Sequence, residues 1–173
     1  MTPAESSDDQ TTGRALYAEY IKEQLDAQEA RKVSLEQRGL AVISTSGVLV
    51  TLLFGLTALS VRREDTFVIP DTAAAFLVAA LVFFVLAALS AIITNLPRSY
   101  EGVKVDALRE AVRDRWEDSE PTASRMVALT RLKVLASAKE KNDQKGVALI
   151  AGMSFEIFAV ALVGVAMGFV LWD

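Results

Sequence analysis

Three long apolar runs alternate with charged stretches along this chain, and the alternation sets the architecture. Residues 40–61 carry no charge over 22 positions, residues 72–96 none over 25, and residues 146–172 only Glu156 over 27. At about 1.5 Å per residue, each run as a helix exceeds the roughly 30 Å hydrocarbon core of a bilayer. A surface helix of a soluble bundle keeps a polar stripe, which these runs lack. The pattern predicts an all-α membrane protein with three transmembrane helices (TM1, 40–61; TM2, 72–96; TM3, 146–172) and cytoplasmic helical extensions. The 39 mostly polar residues before the first run do not fit a cleaved signal peptide.

Between the runs the spacing changes. Residues 1–13 are rich in Ser, Thr and Asp with no apolar period, which predicts a disordered tail. Over 14–39 Tyr17, Tyr20, Ile21 and Leu25 form an apolar stripe, and no Pro or Gly intervenes before Gly39, so a cytoplasmic helix leads into TM1. In the short loop 62–71, Pro70 breaks the chain and Asp71 is placed to cap TM2, while Pro97 closes it. In the segment 97–145 a helix fits Lys104 to Glu117, with Val105, Leu108, Val112 and Trp116 three or four apart. Asp118-Ser119-Glu120-Pro121 is a break and a fresh start, and a further helix from about Thr122 runs to Lys145. The apolar stripes need a cover. Mutual packing into a small bundle is the ordinary one; a partner or a second copy of the chain is the other.

Lys and Arg orient the spans. Residues 1–39 hold five, the 62–71 loop two, residues 97–145 eleven, and nothing follows TM3. This places the N-terminus and the long segment in the cytoplasm, with the short loop and Asp173 outside, in a multi-pass protein of the cytoplasmic (inner) membrane.

Composition then removes chemistries. The chain has no Cys and no His, and so no disulfide, thiolate metal site, Cys nucleophile or Ser-His-Asp triad. No GxGxxG, GxxxxGK[ST] or HExxH occurs. Neither catalytic residues, metal nor cofactor are expected, and the net charge of -4 offers nucleic acid no basic face.

Polar groups inside the apolar runs are the best candidates. Glu156 lies about 15 Å past Lys145 along the helix, near the bilayer midplane, where a charge costs roughly 3 kcal/mol. It should face another helix or a wet cavity, with Ser44, Thr51 or Thr57 as hydrogen-bond partners. Ala148, Gly152, Ala159 and Ala166 fall within roughly 80° of it on a helical wheel. Ser44, Gly47, Thr51, Gly55 and Ala58 make a matching stripe on TM1, and Gly164xxxGly168 adds a further close-packing signal. At the cytoplasmic face Arg31, Lys32, Arg38, Arg98, Lys139, Lys141 and Lys145 can set topology and meet anionic lipid. The same cluster, Lys139 aside, is the candidate anion or nucleotide-phosphate site, because Arg forks suit phosphate.

The order of these parts resembles a known type. A charged helix (Glu29-Ala30-Arg31-Lys32-Val33-Ser34-Leu35-Glu36-Gln37-Arg38-Gly39) leads to a first span containing Ser46-Gly47; a second span ends at Pro97-Arg98, and Lys139-Glu140-Lys141 approaches a third. Over roughly residues 14–172 this layout resembles the transmembrane effectors of Pycsar anti-phage systems. The local sequence also resembles small actinobacterial integral membrane plasmid-transfer proteins. The first resemblance implies a cyclic-pyrimidine-nucleotide signal that triggers loss of membrane integrity.

Two functions are thus expected. One is a homo-oligomeric effector, since three helices cannot enclose a wide pore alone. The other is a scaffold, for example in conjugative plasmid transfer. A pump or membrane enzyme fits least, because one intramembrane carboxyl is thin machinery.

Overall fold

The computed structural model describes residues 3–62, 69–97 and 105–172, with side chains for 13–55, 69–97, 105–106 and 108–172. Loop positions 63–68, Arg98, Lys104 and the side chains of Thr57 and Ala58 lie outside the described residues. Among those described there are four helices and no strand: α1 (Pro3–Arg62), α2 (Asp71–Asn95), α3 (Val105–Arg115) and α4 (Glu120–Trp172). Three of them, α1, α2 and α4, contain stretches long and apolar enough to cross a membrane. The chain has the all-α architecture of a multi-pass membrane protein.

The ends of the helices correct the sequence reading in three places. α1 begins at Pro3, so it takes in most of the stretch assigned to a disordered tail. Proline suits a first helical position, where its missing N–H is no loss, and nothing breaks the chain before Gly13. Asp71 does not cap α2: it is the first helical residue, and Pro70 occupies the cap without a side-chain hydrogen bond. The carbonyl of Pro70 accepts the Ala74 N–H at 2.9 Å, and the Asp71 carboxylate favours the helix N-terminus by charge instead. α4 starts at Glu120, two residues earlier than expected, because the Ser119 carbonyl already accepts the N–H groups of Thr122 and Ala123.

The chain forms two compact units, 34–97 with 144–173 and 1–33 with 98–143. The first contains the spans. Its three helix segments bury a seam of small residues: Ala73, Ala80, Ala87, Ala91 and Thr94 on α2, Leu149, Ala159 and Ala166 on α4, and Val42 and Ser46 on α1. Gly152 and Gly39 are buried with them. Much of the seam repeats every seven residues (73/80/87/94, 145/152/159/166 and 39/46). A seven-residue repeat keeps one face turned toward the neighbouring helix along its whole length. Small residues on that face let backbones approach, which matters where lipid removes the hydrophobic drive between helices. A Cβ at Gly152 would stand 3.2 Å from the Ala87 carbonyl oxygen and 3.3 Å from Ser90 Cβ.

Pairings along the seam give the direction of each helix. Phe76 stacks on Phe169 at 5.7 Å, and Phe83 lies 6.0 Å from both Phe155 and Phe158, so α2 and α4 run antiparallel. Glu36 meets Lys145 and Thr45 meets Glu156, so the spans of α1 and α4 run parallel. This is the up-down-up order three consecutive spans require.

The second unit is held differently. Asn142 Nδ2 donates to the Gln28 backbone oxygen at 2.8 Å and to its Oε1 at 3.0 Å, and Arg31 pairs with Asp143 at 2.8 Å. Ile21 is its one buried hydrophobic residue among those described. The expected mutual packing of stripes is met only in part: Ile21 is buried and Leu25 half-buried, while the rest of the α1 stripe and the stripe of α3 stay open. Leu16, Tyr17 and Tyr20 on α1, Val105, Leu108, Val112 and Trp116 along α3, and Leu129 on α4 are all exposed.

Candidate functional site

The intramembrane site is a hydrogen bond across two helices. Thr45 Oγ1 on α1 donates to Glu156 Oε1 on α4 at 2.5 Å. The hydroxyl also lies 3.0 Å from the Ala41 oxygen and 3.2 Å from that of Val42, the usual local alternatives for a helical threonine. Glu156 is half-buried and Thr45 exposed. In a single copy of the chain the polar pair thus sits at the edge of the seam, not in its centre.

Neither Ser44 nor Thr51, two of the partners expected for Glu156, is the one found among the described residues. Ser44 and Thr51 are exposed, and the Thr51 hydroxyl donates to Gly47 O at 2.8 Å on its own helix. Thr45 sits one residue from Ser44, about 100° around the helix, and only the rotation of α1 against α4 selects between them. The packing glycines divide similarly. Gly152 is at a close approach, whereas a Cβ at Gly47, Gly55, Gly164 or Gly168 would meet nothing within 4 Å. Gly39, which the sequence offered only as a helix interruption, lies so close to the Asn95 amide that no Cβ fits without moving it.

A second polar cluster closes one end of the span bundle. Lys145 Nζ donates to Glu36 Oε1 at 2.5 Å, with the lysine side chain 1% exposed and the glutamate 33%. Thr94, fully buried on α2, points its hydroxyl at the Lys145 carbonyl oxygen 3.5 Å away. Asn95 Nδ2 donates to Ala91 O at 3.0 Å. Charge alone places Lys145 in the basic surface cluster; the seven-residue register with Gly152 is the signal that marks it as buried.

Two of the other basic candidates are also engaged. Arg31 pairs with Asp143 and Lys32 with Glu29 at 3.1 Å, within their own unit. Arg38 is exposed, Lys141 half-buried, and Arg98 outside the described residues. Three of the six candidate cations are therefore already committed to carboxylates. Ser46 Oγ is buried and has no hydrogen-bond partner among the described residues.

These features define a helical multi-pass membrane protein whose spans, among the described residues, are joined by the Thr45–Glu156 hydrogen bond partway along the bundle and by the Glu36–Lys145–Thr94 cluster at one end. Comparison with protein families, characterised proteins and solved structures finds no significant match.

Proposed function

We propose that the chain is a non-enzymatic, homo-oligomeric membrane effector. In this reading its helical part in the cytoplasm receives a signal and its spans then rearrange to breach the bilayer. The observation that carries the reading is the Thr45–Glu156 pair. A carboxyl near the midplane that is only half-buried in one copy of the chain needs a second helix or a wet path beside it. The open faces around Gly55, Gly164 and Gly168 are where another copy could approach. The Lys and Arg distribution supports an inner-membrane protein with a cytoplasmic N-terminus and an outward C-terminus. The resemblance to Pycsar effectors supports anti-phage defence, with a cyclic pyrimidine nucleotide as the signal.

The test is growth and uptake of a membrane-potential dye in cells expressing wild type or Glu156→Gln, with and without cyclic CMP or cyclic UMP. The glutamine retains an oxygen for Thr45, so the contact survives while the ionisable group is lost. Nucleotide-dependent depolarisation by the wild type, altered in the variant, is expected. No depolarisation under any condition refutes the effector. Weight would then pass to the scaffold, for example in plasmid transfer, which the exposed Leu16, Tyr17 and Tyr20 favour as a docking stripe.

A further inference from the structure

α3 is an 11-residue helix, too short to be stable by itself in water, and its apolar side is exposed among the described residues. Val105 is 70% exposed, Leu108 55%, Val112 48%, and Trp116, directly after the helix, 78%. At about 100° per residue these four fall in an arc of about 80°.

The charges are sorted around that arc. Arg115 lies about 20° beyond one edge, and Arg109 and Arg113 lie about 20° and 60° beyond the other. The Arg115 Nη1 donates to Met126 Sδ on α4 at 2.9 Å, a weak exposed contact that a phosphate can replace. Asp106, Glu110 and Asp114 occupy the opposite side. Cations thus flank the apolar stripe on both sides, and the carboxylates point away from whatever it rests on. The Arg109–Asp106 and Arg113–Asp114 pairs, 3.5 Å and 2.7 Å, are largely exposed and readily exchanged for other anions. Hydrogen bonding to Asp114 pushes the Arg113 pKa further up, so this rim charge persists at any working pH.

We propose that α3 is a lipid-docking helix, lying on a phospholipid surface with its Val, Leu and Trp side chains at the headgroup–acyl boundary and Arg109, Arg113 and Arg115 on lipid phosphates. A protein groove would cover the apolar stripe equally well, but it does not call for cations on both rims with acids behind. A phosphate layer does, because arginine can lay its stem along the apolar surface and reach phosphate with its fork. Connectivity points the same way. Nine residues separate Asn95, the last of α2, from Val105, and even fully extended they span only about 35 Å. A membrane that holds α2 is therefore always within reach of α3. The indole of Trp116 suits the boundary, with an apolar body and one polar N–H. The inference rests on the spans crossing a bilayer and not on the effector reading.

The test uses the full chain with Trp172→Phe, which leaves Trp116 as its one tryptophan. It is reconstituted in phosphatidylcholine–phosphatidylglycerol vesicles with and without brominated acyl chains. Docking predicts blue-shifted emission, strong quenching by the bromolipid and weak quenching by acrylamide. Leu108→Glu with Val112→Glu should reverse all three. Water-like emission quenched by acrylamide alone would overturn the proposal. So would protection from both quenchers, the outcome expected if a second copy of the chain covers the stripe. A nitroxide at Val112→Cys, in a chain otherwise free of cysteine, gives the same reading independently: more accessible to oxygen than to a water-soluble nickel chelate if docked, the reverse if not.

Discussion

Lys145 and Glu36 face one another at 2.5 Å with the lysine shut away from solvent, at one end of the bundle of spans. A buried ion pair seldom raises stability over an apolar pair of the same shape, because both charges lose their hydration. Its asymmetry is the useful property. Once built, it penalises any arrangement of α1 and α4 that separates the partners, and so it holds their register.

This predicts that Lys145→Met or Glu36→Gln alone destabilises the bundle by about 3–5 kcal/mol, toward the lower end for Lys145→Met, because the glutamate it leaves unpaired keeps some solvent whereas Glu36→Gln strands a buried ammonium. The reversed pair, Glu36→Lys with Lys145→Glu, should recover a large part of the loss. Unfolding in bicelles followed by steric trapping measures all three. Equal damage from single and reversed variants would remove the pair from the account of register.

Gly152 and Gly164 share a helix but should respond in opposite ways. Alanine at 152 must push back the α2 backbone at Ala87, a cost of about 1–3 kcal/mol for overpacking. Alanine at 164 meets open space and gains helix propensity of up to about 1 kcal/mol. If copies of the chain associate through the open face, leucine at 164 should weaken cross-linking between copies while leaving the single-copy fold intact.

For the mid-depth pair, a double-mutant cycle with Thr45→Ala and Glu156→Ala should give a coupling of about 0.6–1.7 kcal/mol, the range for hydrogen bonds between membrane helices. A coupling near zero would mean that the two side chains find other partners in the bilayer.

Ser46 offers a test of the opposite sign. Its buried hydroxyl has no partner among the described residues, and a desolvated hydroxyl without a hydrogen bond is unfavourable. Ser46→Ala should be neutral or stabilising by about 1 kcal/mol in the same unfolding assay. A clear loss of stability would reveal a partner for the hydroxyl.

Much of the candidate site was legible as residue type and much less as contact. Glu156 stands out in any reading because a carboxyl among 26 uncharged neighbours in TM3 has no ordinary explanation. Its partner does not, because TM1 offers several hydroxyls within two turns. Lys145 looks like one more interfacial cation until its place in the 145/152/159/166 register is noticed. The glycines misled for a related reason: abundance on a face says that a helix can approach, not that one does.

What the sequence alone determined are the elements: the three spans, the break at Pro70, the break before Pro121 and the amphipathic α3. These follow from local physics, since a backbone in hydrocarbon must satisfy its hydrogen bonds within the helix and a run's length and polarity decide whether it can cross. Only the tertiary structure decided that Thr45, not Ser44, meets Glu156, that Lys145 is buried on Glu36, and that Gly152 and Gly39, not Gly47 or Gly164, sit at close approaches. Those outcomes depend on how far each helix is rotated and slid against its neighbours, a property of pairs of segments that no single stretch of residues carries.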